Sequence, residues 1–232
     1  RTEAYIYSNP RPAKWPSSDY IVGNPPFIGN KRMRAALGDG YVEALRAGYK
    51  EVPESCDLVM YWWHKAAGLL SAQELIRFGF ITTNSITQTF NRKVVTSYLE
   101  GKKPISLVFA IPDHPWVDNA DGAAVRIAMT VCCYGDQAGS LSRIEIEIEV
   151  PGEDAADVSF RNDSGKIFAD LSVGANVAGA SMLLSNQSLS HQGVIPLGLG
   201  FRLKPIEVEA LGYDTTLLPD VIRPYLIGRD LV

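Results

Sequence analysis

The sequence predicts half of a doubly wound α/β sheet, followed by a segment rich in β structure. Up to about Tyr134, short apolar runs bounded by turn residues alternate with stretches of helical periodicity. This order is typical of parallel strands joined by helices. After residue 137 the alternation is lost, and short apolar runs are separated by Gly, Ser and Asn. We therefore expect an α/β part over residues 1–137 and a β-rich part over residues 138–232.

The first part of the chain is expected to contain one strand and three helices. The predicted bounds are Asp19–Gly23 for the strand, and Lys31–Leu37, Tyr41–Tyr49 and Asp57 to about Phe78 for the helices. The third helix carries apolar residues at helical spacing, and Asp57 should cap it, because acidic side chains favour the first turn. Trp62 and Trp63 resemble a base-stacking pair. Since neighbouring residues cannot share a helix face, at least one of them should pack in the core.

The next residues are expected to complete the sheet. Predicted strands cover Gly79–Thr83, Ile105–Ile111 and Ala123–Tyr134, with a helix over Val94–Leu99 and a loop over Pro112–Gly122 that contains Trp116. Between Ile144 and Val150, aliphatic residues alternate strictly with Glu. That pattern predicts a half-exposed strand with an acidic outer face.

Composition excludes several classes of protein. Hydrophobic residues make up 46% and charged residues 21% of the 232 residues, as in an ordinary soluble domain. No apolar run reaches the length of a membrane span, and no secretory signal opens the sequence. The three cysteines form no disulfide framework, and with the three histidines they show no metal-ligand spacing. We therefore expect a cytoplasmic protein with inert core cysteines and no structural metal.

The most informative segment is Asn24-Pro25-Pro26-Phe27, which directly follows the first strand. Ligands of open α/β sheets bind where strands end. The Asn24 side chain and the carbonyl of Pro25 are hydrogen-bond acceptors, and the prolines fix the backbone. Two fixed acceptors can hold both hydrogens of a planar –NH2 group and stabilise the positive charge that grows on its nitrogen during methylation. Phe27 offers a ring on which a base can stack. The alternative interpretation is a proline-rich turn with Phe27 in the core.

The longer string from Asp19 to Lys31, DYIVGNPPFIGNK, resembles gamma-class N6-adenine DNA methyltransferases of bacterial restriction–modification systems. The resemblance is strongest to the large fused enzymes that carry nuclease, methyltransferase and target-recognition parts on one polypeptide. Three further segments agree with this family in order and spacing: Asp57–Trp63, Gly79–Ile86 and Asp121–Met129. Near the end, Ile222–Leu231 resembles a segment of the family's target-recognition region. The resemblance implies a partial Rossmann-like sheet that uses S-adenosylmethionine, up to residue 137, and then the start of the target-recognition region.

The resemblance also implies which residues of this chain take part in methyl transfer. Asn24, Pro25, Pro26 and Phe27 would form the catalytic loop, and the methyl acceptor would be the N6 amino group of an adenine rotated out of double-stranded DNA. Asp57 would lie near the cofactor pocket. In this family a Gly-rich turn that binds the cofactor precedes the catalytic loop, and the 23 residues before Asn24 contain no such turn. We therefore expect this chain to be a piece of a longer polypeptide, with the remainder as its partner, and to be inactive alone.

The net charge of −4 does not indicate nucleic-acid binding, so the distribution of basic residues matters more. Basic residues that follow predicted strand ends are Lys31, Arg32 and Arg34 after the catalytic loop, and Arg92 and Lys93 after Asn84. We expect both groups at the ligand-side edge of the sheet, where they can hold phosphates. Trp116 is a further candidate for contact with DNA or with the extruded base.

Alternatives to a DNA methyltransferase stay open on the sequence alone, one kind catalytic and the other non-catalytic. An Asn-Pro-Pro-aromatic loop also serves planar amides, so the acceptor could be a glutamine amide in a protein, or an adenine in RNA. The third possibility is a non-catalytic DNA-binding or assembly module, which the missing Gly-rich turn favours. The recognition-like C-terminal region favours DNA as the substrate.

Overall fold

The computed structural model describes residues 5–116, 125–149, 156–176, 179–180, 183–186, 189 and 198–225. The chain divides into two compact units, residues 1–180 and 181–232. The first unit contains a six-stranded sheet in the order β1-β2-β4-β3-β5-β6. Its strands are β1 (Tyr20–Gly23), β2 (Arg77–Thr83), β3 (Ile105–Trp116), β4 (Val125–Tyr134), β5 (Gly139–Glu149) and β6 (Ala156–Gly165).

The direction of the strands brings four carboxyl ends together. β1 and β2 are parallel neighbours, with Gly23 beside Phe80. β2 and β3 are both antiparallel to β4, and β5 is parallel to β3, so β1, β2, β3 and β5 all run the same way. We call the edge where these four strands end the carboxyl edge. The parallel pairing of β1 with β2 confirms the predicted α/β sheet.

Among its described residues, the first unit has four α-helices, and the last two of them cover one face of the sheet. The helices are α1 (Asn30–Leu37), α2 (Asp39–Gly48), α3 (Val59–Ser71) and α4 (Thr89–Leu99). α3 and α4 pack on each other and on the sheet. Trp63 is fully buried there and meets Phe78 edge to face, with ring centroids 5.4 Å apart. Trp62 is only half-buried. The burial of Trp63 confirms the prediction that at least one of the two tryptophans packs in the core.

The third helix is shorter than predicted. α3 ends at Ser71, and β2 already begins at Arg77. Gln73 has a left-handed φ of 61°, which ends the helical backbone. Phe78, which the helical pattern included, therefore lies in the strand. Residues 71–76 contain neither Gly nor Pro, so the sequence gave no clear sign of the turn between helix and strand.

β3 is longer than predicted and takes up half of the expected loop. Residues 112–116 continue the strand, with a register shift against β4 between Ile111 and His114. A bulge at this place accommodates Pro112, which cannot donate a hydrogen bond to a neighbouring strand. Trp116 is therefore the last residue of a strand, paired with Val125, and not a loop residue as predicted. Residues 117–124, which include part of the segment Asp121–Met129, lie outside the described residues.

β5 and β6 form an antiparallel hairpin whose alternating pattern does not bury one face as expected. The glutamates at 145 and 147 are exposed as predicted, but Ile146 and Ile148 are also 54% and 59% exposed. A register shift between Ile144 and Ile146 interrupts the alternation, because the extra residue of a bulge changes which face the following side chains occupy. Ile146 and Ile148 then lie opposite Ser159 and Asp157, which provide no apolar partner.

The sheet continues across residue 137, since β5 pairs with β3. The assignment of residues 138–232 to a recognition region stays a prediction. In the second unit, the described residues form one α-helix, α5 (Pro205–Ala210), and short 3-10 turns. The end of the segment Ile222–Leu231 lies outside the described residues, as does His191. No helix in the described ranges is both long and apolar enough to cross a bilayer.

Candidate active site at the carboxyl edge of the sheet

The segment from residue 24 to residue 29, which we call the Asn24 loop, leaves β1 at the carboxyl edge. Gly23 packs tightly before it, because an added Cβ would approach the ring of Phe80 to 3.3 Å. Within the loop, the Ile28 N–H donates to the carbonyl of Pro26 over 3.2 Å. This bond closes a three-residue turn around Phe27. The prolines and the turn together give the loop a stiff backbone.

The acceptors of the Asn24 loop are free. Asn24 is exposed, and among the described residues neither its side chain nor the carbonyl of Pro25 has a hydrogen-bond partner. Pro25 itself is buried and Phe27 is half-buried. The structure therefore holds the loop firmly while leaving its two candidate acceptors available to a ligand.

Asn24 lines a cavity of about 450 Å³. Three aromatic side chains, Trp15, Trp62 and Phe80, contribute to its walls. This volume lies in the range of small-molecule sites, which are mostly apolar with a few polar groups. Sequence reasoning did not identify Trp15 or Phe80, because they come from the segment before β1 and from the middle of β2, and no spacing relates them to Asn24.

Asp57 lies at the centre of a hydrogen-bonded cluster. Its Oδ1 accepts from the Asn30 backbone N–H over 2.9 Å, and its Oδ2 accepts from Ser85 Oγ over 2.7 Å and from Asn91 Nδ2 over 2.8 Å. We call Asn30, Asp57, Ser85 and Asn91 the Asp57 cluster. Its contacts join the end of the Asn24 loop to the exit of β2 and to α4.

The prediction that Asp57 caps the helix after it is wrong. Leu58 stands at the N-terminus of α3 and provides no side-chain cap. The Asp57 carboxylate instead binds the first residue of α1, Asn30, where a negative charge is favourable at a helix N-terminus. The residue before α1 is Gly29, which has no side chain that could cap.

Asn91 is the member of the cluster that lies outside all the segments that resemble the family, and sequence reasoning missed it. It is 4% exposed, and it binds Asp57 twice, because its Oδ1 also accepts from the Asp57 backbone N–H over 3.0 Å. Its Nδ2 donates in addition to the carbonyl of Ser85 over 3.0 Å. The available signal was a polar residue on the helix side that also carries Val94 and Val95.

The basic residues after the Asn24 loop differ in their pairing. Lys31 and Arg32 are exposed and have no side-chain partner in the described part of the chain. Arg34 instead donates to Asp39 over 2.9 Å and to Glu43. These hydrogen bonds, the one to Asp39 foremost, raise the pKa of the Arg34 guanidinium above its ordinary value. Among the described residues, the side chains of Lys31 and Arg32 are therefore unpaired, whereas Arg34 is engaged with two acids.

Arg92 and Lys93 lie in the first turns of α4. The Arg92 side chain is half-buried and donates weakly to the carbonyl of Thr87, over 3.4 Å. Lys93 is exposed, and its Nζ lies 5.5 Å from the ring centroid of Phe90. Both residues therefore follow the exit of β2, as predicted from their order in the sequence.

The part of the carboxyl edge near β3 and β5 is occupied by an ion-pair network that sequence reasoning missed. Arg126 Nε donates to Asp113 over 2.7 Å, and its Nη1 and Nη2 donate to Glu147 over 3.1 Å. Asn84 Nδ2 donates to the other oxygen of Asp113 over 3.2 Å. Trp116 ends β3 at this same edge. The polar groups here are bound to one another rather than free.

The cysteines are poorly suited to act as nucleophiles. Cys56, Cys132 and Cys133 are free and buried. Burial raises the pKa of the Cys56 thiol to about 12 and also raises those of the other two thiols. A reactive cysteine needs a lowered pKa, so none of the three offers a thiolate at neutral pH. Over the described ranges, no group of three or more His, Cys, Asp or Glu residues could hold a metal ion.

Comparison with known proteins gives matches that agree with each other. Residues 5–143 match the family model described as MmeI, DNA-methyltransferase domain. The chain is 26% identical over 120 residues to DNA methyltransferase A of Bacillus subtilis (strain 168), over 52% of this chain and 13% of that protein. The structure of the type IIL restriction–modification enzyme MmeI in complex with DNA matches with a TM-score of 0.53 and 25% identity, over 68% of this chain and 20% of that one.

These matches confirm the resemblance drawn from the string around Asn24. The chain spans only a small part of the length of either relative. The family model nevertheless covers more than half of the 232 residues, including β1 to β4, the Asn24 loop and the Asp57 cluster. The chain therefore belongs to the family of MmeI DNA-methyltransferase domains.

Proposed function

We propose that this chain forms the amine-binding half of a DNA methyltransferase that transfers methyl from S-adenosylmethionine to the N6 amino group of adenine. The observation that carries the proposal is Asn24, a free amide on a stiff loop at the carboxyl edge, beside an aromatic cavity of about 450 Å³. The whole protein would act on double-stranded DNA in the cytoplasm, within a restriction–modification or related defence system. The MmeI relative was solved in complex with DNA, which supports DNA as the partner.

The chemistry follows from the two acceptors. An extruded adenine would donate its N6 hydrogens to Asn24 Oδ1 and to the carbonyl of Pro25, while Phe27 stacks on the ring. The acceptors favour a pyramidal nitrogen and stabilise its developing positive charge, so no strong base is required. The raised thiol pKa values support direct transfer to the amine over a route through a cysteine nucleophile.

The residues present fit one part of a cofactor site, the part that faces the methyl group. S-adenosylmethionine, when bound, supplies an electrophilic methyl group on a cationic sulfur. Trp15, Trp62 and Phe80 would hold that cation, since aromatic faces attract cationic groups.

Lys31 and Arg32 would hold phosphates beside the extruded base, and Arg92, Lys93 and Trp116 are further candidates for contact with DNA. Arg34 would contribute less, because Asp39 and Glu43 compensate its charge.

The test is product analysis with the whole protein that contains this chain. It is incubated with methyl-labelled S-adenosylmethionine and, in separate reactions, with duplex DNA, duplex RNA or glutamine-containing protein. The proposal predicts label in N6-methyladenine from DNA. Label in glutamine or RNA would identify one of the alternative substrates. Duplex binding without any transfer would identify a non-catalytic module.

A further inference from the structure

The Asn24 loop is held at both ends, and the two ends are held by different means. Its beginning follows directly from the pairing of β1 with β2. Its far end is bound by the residues before α3. The Leu58 N–H donates to the carbonyl of Ile28 over 2.9 Å, and Asp57 Oδ1 accepts from the Asn30 N–H over 2.9 Å. The position of the far end therefore depends on where Asp57 and Leu58 lie.

Asp57 is itself oriented by a buried side chain. Asn91 donates to Asp57 Oδ2 and accepts from the Asp57 backbone N–H, so it fixes both the side chain and the main chain of that residue. Ser85 donates to the same Oδ2 from the exit of β2. Asn91 is 4% exposed and does not line the cavity at Asn24. Its contacts are those of a residue that acts through another residue.

We propose that Asp57 and Asn91 are positioning residues that hold the Asn24 loop in the geometry for methyl transfer. This inference rests on the proposed function. A carboxylate has about four acceptor positions, and three of those on Asp57 are used by the protein itself. The carboxylate is thus committed to the loop, in place of the cofactor contact that family resemblance implies for Asp57.

An exchange of the two side chains tests the role. In D57N the new amide nitrogen faces the donors of Ser85 and Asn91, and in N91D two carboxylates face each other. The double variant D57N/N91D restores a donor and an acceptor at both contacts between residues 57 and 91, but it puts a carboxylate oxygen where Asn91 donates to the Ser85 carbonyl. We expect each single variant of the whole protein to lower kcat about a hundredfold, the scale of a misplacement of about 1 Å. KM for S-adenosylmethionine should stay near the wild-type value, and the double variant should recover part of kcat.

A contact between Asp57 and the cofactor would instead change KM, and the double variant would not reverse that change. If Asp57 binds S-adenosylmethionine, D57N raises KM for it and the double variant does not recover, and this result would overturn the inference. S106A is a matched control for folding, because the Ser106 hydroxyl also bridges two backbone groups, the Gly135 carbonyl and the Gln137 N–H. Ser106 lies near the start of β3, away from the carboxyl edge, so S106A should retain the wild-type kcat.

Hydrogen exchange tests the same hold on the far end of the Asn24 loop, the bonds from Asn30 to Asp57 and from Leu58 to Ile28, without any reaction. In the 232-residue chain, the amides of Asn30 and Leu58 should exchange faster in D57N and in N91D, and return towards wild type in the double variant. Unchanged exchange in both single variants would overturn the inference. If these amides exchange as expected but the whole wild-type protein does not methylate DNA, the proposed function fails and the positioning of the loop still stands.

Discussion

The Asn24 loop and the β5–β6 hairpin belong to the same sheet, but their polar groups are engaged differently. Around the loop, Asn24, Lys31 and Arg32 have no side-chain partner in the described part of the chain. In the hairpin, Arg143 and Arg161 both pair with Asp163, and Glu147 pairs with Arg126 of β4. The loop is stiff with free polar groups, whereas the hairpin binds its charges internally.

This difference shows why a count of charged residues is a poor guide to function. A group that already has a partner gains little from a ligand, because it must first give up the existing bond. A free group on a fixed backbone can bind a ligand with little reorganisation. The contrast predicts that equivalent substitutions in the two regions have very different effects.

The largest expected effect is that of Asn24→Ala on methyl transfer. It removes one of two acceptors on the amine, and loss of a comparable preorganised group costs about 2.7–4 kcal/mol, or roughly a hundred- to thousandfold in rate. Single-turnover methylation of a cognate duplex by the whole protein measures it. The matched control is Asn162→Ala in the hairpin, where the amide accepts from Ser142, and it should keep the wild-type rate.

Duplex affinity should change little in Asn24→Ala, since phosphate contacts elsewhere supply most of it. A variant that kept more than about a tenth of the wild-type rate, well short of the loss expected for such a group, would rule out this loop as the catalytic one.

The next effect concerns holding the base. Phe27→Ala should weaken capture of an extruded adenine by roughly 1–3 kcal/mol if the ring stacks on it. The measurement is affinity for a duplex in which the target adenine is mismatched, compared with a fully paired duplex. A loss of the same size for both duplexes would mean that Phe27 supports the fold and does not contact the base.

A smaller effect is expected on the salt dependence of binding. The double variant K31A/R32A should reduce the slope of log affinity against log salt by about 2, or about 1 for each phosphate that the protein no longer binds. The double variant R143A/R161A removes the same charge from the hairpin and should leave the slope unchanged. Equal changes in the two variants would show that long-range charge, and not free groups at the loop, governs binding.

The smallest effect is on the pKa of Asp163 in the hairpin and, through it, on how the stability of the fold depends on pH. The hydrogen bond from Arg143 holds the pKa of Asp163 below its ordinary value. A lowered folded-state pKa stabilises the fold above the unfolded pKa of about 4, and this contribution is lost as pH falls through the folded value. Arg143→Ala should raise the pKa of Asp163 towards its ordinary value in an NMR titration. An unchanged titration would mean that this ion pair is not formed in solution.

Local pattern was sufficient to predict the strand before Asn24, the loop after it and the parallel neighbour at Gly79–Thr83. These features depend on turn residues and short apolar runs, which lie next to one another in the chain. The resemblance of the string around Asn24 added the family. Membership of a DNA methyltransferase family was therefore predictable from the string Asp19–Lys31 together with the segments that agree with it in order and spacing.

The contacts that hold the site were not predictable, because they join distant residues. Asp57 and Asn91 are 34 residues apart, and no periodicity relates them. The pairing of Arg34 with Glu43 depends on the angle between α1 and α2, and the end of α3 depends on the backbone of Gln73. The alternation from Ile144 predicted one buried face, but a single bulge residue changed the outcome.

The catalytic role of the Asn24 loop is best tested by an experimental structure of the whole protein with an unreactive cofactor analogue and cognate duplex DNA. We expect an adenine rotated out of the duplex, with N6 within about 2.7–3.2 Å of both Asn24 Oδ1 and the Pro25 carbonyl oxygen. Phe27 should stack on that base. An adenine seated elsewhere, or an Asn24 side chain that binds only the DNA backbone, would contradict this role.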